Sequence, residues 1–100
     1  MYKRQLYGRV AEAVKPDDIV IEKPAFGSLE LADLLRRLAP EEVELCGLVT
    51  DICVISNAVI AKAALPESRV TVDHSACSCA DPESHERALA VMRGVQIDVI

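Results

Sequence analysis

Apolar positions along this chain switch repeatedly between helical and strand spacing. Leu6, Val10, Ala13 and Val14 recur at i, i+4, i+7 and i+8, predicting a short amphipathic helix ended by Lys15-Pro16-Asp17. Asp18-Ile19-Val20-Ile21-Glu22 is a β-branched run that predicts a strand with Lys23 at its C-terminal end. After the loop Pro24 to Gly27, Ser28 is a suitable N-cap for a helix whose Leu31, Leu34, Leu35 and Leu38 share one face, and Pro40 stops it. Glu42 to Val49 predicts the second strand. Thr50-Asp51 then reads as a capping signal for a helix from about Ile52 to Leu65, in which only Ser56, Asn57 and Lys62 are polar. Such a helix is expected to be buried nearly all round. Arg69 to Asp73 predicts a third strand, with Asp73 to Cys79 as the loop after it. Asp81 and Pro82 open a last helix with His85, Ala88, Leu89 and Met92 on its inner face and Gly94 at its end, and Val95 to Ile100 predicts a fourth strand.

Strands alternating with helices of this length imply right-handed βαβ crossovers and a parallel sheet covered on both faces, an α/β fold of three layers, α/β/α and Rossmann-like. Ligands of such sheets bind beyond the C-terminal strand ends. Lys23, the turn from Gly47 to Cys53 and the segment Asp73 to Cys79 all fall on that edge.

Composition narrows the function classes. The 100 residues are 51% hydrophobic but only 3% aromatic, without Trp, so the core is built from Ala, Val, Ile and Leu. The length fits part or all of one domain. A formal charge of −5, with no Lys/Arg cluster, argues against a nucleic-acid partner. The stretch poorest in charge, Ile52 to Ala61, is about half of what a membrane helix needs. With no apolar run after the basic start and no framework spacing among Cys46, Cys53, Cys77 and Cys79, the expected setting is cytoplasmic, with reduced thiols.

The first five residues stand apart. Met1-Tyr2-Lys3-Arg4-Gln5 resembles the translation of a transposon-derived sequencing adapter, so residues 1–5 are expected to be an artefact and residues 6–100 the C-terminal portion of a single domain whose N-terminal part is missing.

Two residues carry the case for chemistry. Cys53 lies in the first turn of a helix, where free backbone N–H groups and the helix dipole favour an anionic sulfur, and a thiolate is a nucleophile. A buried cysteine that only packs is the plain alternative. Lys23, followed by the apolar Pro24, Ala25 and Phe26, is placed to set an ammonium beside that sulfur, although a lysine closing a strand is commonly just solvated.

Taken together, Ile-Glu-Lys-Pro-Ala-Phe-Gly-Ser-Leu-Glu-Leu (21–31) and Leu-Cys-Gly-Leu-Val-Thr-Asp-Ile-Cys-Val (45–54) resemble the isochorismatase-like cysteine hydrolases, and among them the nicotinamidases. The likeness runs over about residues 16–100, with Gly47-x-x-Thr50-Asp51-x-Cys53-Val54 as its most specific part. It implies an amidase in which Cys53 attacks a carboxamide, ammonia leaves and water hydrolyses the thioester, with Lys23 as the catalytic lysine. It also implies a cis peptide bond between Leu48 and Val49 and an oxyanion hole formed by the backbone N–H groups of Val49 and Cys53. Nicotinamide is the substrate the resemblance favours, which would place the protein in NAD metabolism.

The resemblance also shows a gap. The family's third catalytic residue, an aspartate closing an N-terminal strand, has no counterpart here, and neither do the early Asp and His residues that bind zinc or a similar divalent metal. Asp17 and Asp18 begin a strand, at the end opposite Lys23, and cannot replace that base. No cofactor is therefore expected in these residues, a divalent metal is expected only in a full-length protein, and the chain alone is expected to be inactive.

The other candidates have plain readings. Thr50 and Asp51 are expected to cap, His85 to make a structural hydrogen bond, and Cys46 to sit in the core. His74 is read as a solvated loop residue or, alternatively, as the pocket edge. With Cys77 and Cys79 it forms a His-x-x-Cys-x-Cys run that lacks a fourth ligand for a soft metal, so no metal is assigned. Expected partners are a small-molecule amide and, because a sheet edge and an apolar face are left uncovered, a second copy in a homo-oligomer. A non-catalytic α/β binding or assembly module, in which Cys53 merely packs, is the competing function.

Overall fold

The computed structural model describes residues 8–100. The opening pentapeptide and Leu6, the first apolar position of the N-terminal helix, lie outside the described residues. The helix itself, α1, spans Gly8–Ala13. The chain turns where Pro16 was expected to stop it: the Lys15 amide donates to Asp18 Oδ2 at 2.8 Å, and the Asp18 amide to the Lys15 carbonyl at 3.1 Å.

The run from Asp18 to Glu22 is not a strand, which corrects the sequence reading. A β-branched run becomes a strand only when its N–H and C=O groups find a neighbouring ladder. Ile19 and Val20 instead stand 61% and 65% exposed, and the described residues supply no strand beside them. Lys23 is thus carried by an irregular segment leading into a bend rather than by the end of a strand.

The second helix forms as its sequence suggests. α2 spans Leu29–Leu38, and Ser28, nearly buried, accepts the Leu31 N–H at 3.0 Å as its N-cap. Leu35 is buried and Leu31 and Leu34 half-buried, but Leu38, in the last turn, is exposed. The helix ends at Ala39, whose φ of 46° is left-handed and whose N–H returns to the Leu35 carbonyl at 2.7 Å.

From there the chain alternates: β1 (Glu42–Leu48), a π-helical turn (Thr50–Val54), α3 (Ile55–Ala64), β2 (Arg69–Ser78), α4 (Pro82–Gly94) and β3 (Asp98–Val99). The strands form a parallel sheet in the order β1-β2-β3. This is the α/β architecture expected, with consecutive crossovers carrying α3 and α4 side by side on one sheet face and α2 packed against α3.

That face holds the core. Val70 and Val72 of β2 meet Ala58 and Ala61 of α3, Leu89 and Met92 of α4, and Ile97, all nearly inaccessible to solvent. Burying a large aliphatic side chain of this kind contributes roughly 1.5–3 kcal/mol. Two alanines on α3 let the helix lie close to the strand, so small residues facing small gaps replace the aromatic bulk this sequence lacks.

The opposite face lacks a helix layer among the described residues, and this changes two expectations. Along β1, Glu42, Glu44, Cys46 and Leu48 are exposed while Val43 and Leu45 turn to the core, so Cys46 is a surface thiol and not a core residue. Helix α3 is covered on one side only: Val59 is 44% exposed, so its apolar composition does not make it buried all round. Arg69 bridges the open face, donating to Glu42 at 3.2 Å and to Asp98 at 3.0 Å and tying the starts of all three strands. Exposed pairs of this type contribute at most about 1 kcal/mol.

β2 runs further than predicted and carries a bulge where a loop was expected. Its pairing with β1 jumps from Leu45↔Val72 to Gly47↔Cys77, so residues 73–76 of β2 stand opposite Cys46 alone. Asp73 closes this bulge by accepting the Ser75 amide at 3.0 Å and the Ser75 hydroxyl at 2.7 Å. The hydroxyl bond holds the Asp73 carboxyl below the usual carboxylate range.

At α4, Asp81 caps the Glu83 amide at 3.1 Å and Pro82 takes the first turn, as the sequence implies. Gly94 is the last helical residue rather than the left-handed terminator, a role that falls to Gln96 with φ 67°. The predicted fourth strand shortens to Asp98–Val99, although the Ile100 amide still reaches the Val72 carbonyl at 2.9 Å. No helix among the described residues is long and apolar enough to cross a membrane.

Candidate active site

The C-terminal end of β1 sets the geometry. Gly47 takes φ 120°, a conformation open to glycine and rare for other residues, and the Leu48–Val49 peptide bond is cis. The chain then winds into the π-helical turn, in which the Val54 amide reaches back five residues to the Val49 carbonyl at 3.1 Å. Widened turns of this kind recur at functional sites. Thr50 and Asp51 do not cap it with their side chains, contrary to the sequence reading, because the N-cap position falls on Val49. Thr50 is instead wholly buried, with its hydroxyl 2.8 Å from Nδ1 of His85 on α4.

Cys53 occupies this turn and is half-buried. Lys23, thirty residues earlier, places its Nζ 3.4 Å from Cys53 Sγ and 3.2 Å from the Ala25 carbonyl. The ammonium is thus oriented by its own loop and directed at the sulfur. No carboxylate among the described residues pairs with Lys23, so its charge is not spent elsewhere. The arrangement sets a cationic donor within hydrogen-bonding distance of the sulfur.

A third side chain binds the two halves together, and sequence reasoning gave it no role. Asn57 lies one helical turn after Cys53. Its Nδ2 donates to the Cys53 carbonyl at 3.0 Å and to the Phe26 carbonyl at 3.0 Å, while its Oδ1 accepts the Ser28 amide at 2.9 Å. An asparagine four residues from a candidate nucleophile, in a largely apolar helix, was the available signal. Gly27 completes the junction: a Cβ there would come within 2.6 Å of Ile60 Cδ1, so the loop lies directly on α3.

The other candidates are elsewhere. His74 Nδ1 lies close to the Ile100 carbonyl, on the β3 side. Cys79 donates to Asp51 Oδ1 at 3.2 Å, beside the site but not bonded to the Lys23–Cys53 pair. Cys77 packs against the core, where burial raises its thiol pKa. No group of three or more His, Cys, Asp or Glu side chains among the described residues is arranged to hold a metal ion, so the residues do not fit a zinc site.

Comparison with known proteins adds the following. The family model for the isochorismatase domain matches residues 3–100. The nicotinamidase SaPncA from Staphylococcus aureus superposes with a TM-score of 0.80 at 28% identity, covering 95% of this chain and 65% of its own. The nicotinamidase PncA from Bacillus subtilis gives 0.78 at 31% identity, covering 94% and 56%. The pyrazinamidase of Pyrococcus horikoshii, solved in complex with zinc, gives 0.68 at 30% identity, covering 79% and 45%. The chain therefore spans less than two thirds of the length of these solved relatives. No curated protein sequence matches it significantly.

Proposed function

This chain belongs to the isochorismatase family of hydrolases, and on that footing we propose that it supplies the nucleophile and the lysine of an amide C–N hydrolase acting on a small carboxamide, nicotinamide first among them. The observation that carries this reading is the 3.4 Å approach of Lys23 Nζ to Cys53 Sγ. The nicotinamidases among the similar structures support the choice of substrate.

In the proposed reaction Cys53 Sγ bonds to the carboxamide carbon and the carbonyl π pair moves to oxygen. The backbone N–H groups of Val49 and Cys53 hold that oxyanion, and each such donor contributes roughly 3 kcal/mol to lowering the barrier. The C–N bond then breaks as the nitrogen takes a proton and leaves as ammonia. Water attacks the thioester, the S–C bond breaks, and the carboxylate leaves with the thiol restored. Lys23 stabilises the charge on sulfur.

The proton moves need a base close to sulfur and substrate. Among the described residues no carboxylate bonds to Lys23 or Cys53. The 100 residues by themselves are therefore proposed to be inactive, and turnover to require a full-length protein that brings a carboxylate to the pair. We place the protein in a reducing cytosol, where the four free cysteines of this chain stay reduced.

The test is ammonia release from nicotinamide by a full-length protein carrying these residues, with and without Cys53→Ala. Loss of release in the variant is the expected result. Release that survives the substitution removes Cys53 from the chemistry, and no release from any small amide favours a binding or assembly module.

A further inference from the structure

The two halves of the site come from segments thirty residues apart, and among the described residues the segment carrying Lys23 has no strand to hold it. Its placement rests on what ties the loop 24–28 to α3. Asn57 makes that tie with all the hydrogen-bonding groups that face the junction: one N–H to the carbonyl of Cys53, the other to the carbonyl of Phe26, and its oxygen to the amide of Ser28. Ser28 is in turn the N-cap of α2, so the same contact sets where that helix starts.

We propose that Asn57 is the positioning residue of this site, holding the Lys23 loop over Cys53 so that the ammonium stays in contact with the sulfur. It rests on the reading of Lys23 and Cys53 given above. Asn57 touches neither sulfur nor ammonium, and acts only through the loop it pins and the backbone it shares with Cys53.

The geometry explains why an amide is needed. Two backbone carbonyls and one backbone N–H converge on this position, a demand for two donors and one acceptor. Asparagine meets it in a side chain short enough for a helix surface. Aspartate offers only acceptors when ionised and would face the carbonyls of Phe26 and Cys53 with like polarity, while alanine leaves all three groups to solvent or unpaired.

The test is a double-substitution cycle read by alkylation of Cys53, with modified peptides resolved by mass spectrometry so that the other thiols do not contribute. Iodoacetamide rates are compared for the protein, Lys23→Ala, Asn57→Ala and the double variant at one pH near neutrality. Lys23→Ala is expected to slow Cys53 by about tenfold, the scale of one cation–anion contact at 3.4 Å screened by water. Asn57→Ala is expected to produce most of that loss, and the double variant to be no slower than Lys23→Ala alone, because residues acting through one contact are not additive.

Losses that multiply, an Asn57→Ala rate equal to that of the unsubstituted protein, or a Lys23→Ala rate that does not fall, each overturn the proposal. A purely structural asparagine would lower the urea midpoint without depending on Lys23. If Asn57→Ala does not hold its fold, Asn57→Ser, which keeps a hydroxyl in a small volume, goes through the same cycle with the same criteria. Coupled alkylation in a full-length protein that releases no ammonia from any amide supports the positioning role and removes the hydrolase reading. Ammonia release with uncoupled alkylation removes the positioning role alone.

Discussion

Replacing Gly47 by alanine adds a methyl group to open space and still destabilises the protein. A Cβ built on Gly47 meets no atom within 4 Å, so no contact is lost and no clash is made. The cost lies in the backbone, because φ 120° is a conformation that residues with a Cβ avoid, and holding one there costs about 1–3 kcal/mol. Gly94 is the matched control. It is equally open, but it ends α4 without a positive φ, so Gly94→Ala is expected to stabilise by about 0.5–1 kcal/mol. In a domain of this size each 1 kcal/mol moves the melting temperature by roughly 4–8 °C. At the middle of its range, Gly47→Ala should therefore melt roughly 8–16 °C lower, while Gly94→Ala should melt a few degrees higher. Thermal and urea unfolding followed by circular dichroism, with unchanged urea slopes, makes the measurement. Because Gly47 stands just before the turn that carries Cys53, Gly47→Ala should also slow Cys53 alkylation, and Gly94→Ala should not. A Gly47→Ala protein as stable as the parent would refute the reasoning, and so would equal shifts for both substitutions, which would make general helix or loop propensity the cause.

Further outcomes follow from other contacts. Thr50→Val keeps the shape of a fully buried side chain but leaves His85 Nδ1 without its partner; a loss of about 1–3 kcal/mol in urea unfolding is expected, with Thr50→Ser close to the parent. Ser75→Ala removes the hydroxyl that lowers the Asp73 pKa, so an NMR titration should find that carboxyl nearer its ordinary value. The sign of the pH effect follows: with its pKa lowered by folding, Asp73 contributes stability above the ordinary carboxylate value and loses it as pH falls through the lowered one, and Ser75→Ala should reduce that acid sensitivity. Asp73 is exposed enough that the effect is small, and an unchanged Asp73 titration in Ser75→Ala would show that the hydroxyl bond is not its cause.

Much of this protein was legible from one-dimensional signals. Ser28 and Asp81 cap their helices as their residue types and positions imply, because an N-cap is a contact between residues two or three apart. The parallel alternation of strands and helices follows from hydrophobic periods and loop lengths of the same local kind. The lysine and the cysteine were visible through resemblance, and the structure brings them into contact. What failed was long-range. Cys46 looked like core because it sits in an apolar strand, but which face of β1 is covered depends on where the helices pack. The run at Ile19 to Ile21 has strand composition but no ladder beside it among the described residues, and composition cannot supply a partner.

The site divides along the same line. Sequence alone determined the caps at Ser28 and Asp81, the main apolar positions and the residue types able to do chemistry, since these depend on neighbours within a turn or two. Tertiary structure alone decided that Asn57 joins the Lys23 loop to the Cys53 turn and that Thr50 answers to His85 instead of capping its own helix. Each is a hydrogen bond whose donor has several acceptors of equal chemistry within reach in the unfolded chain. Only packing, which fixes the approach of segments about thirty residues apart, selects one of them.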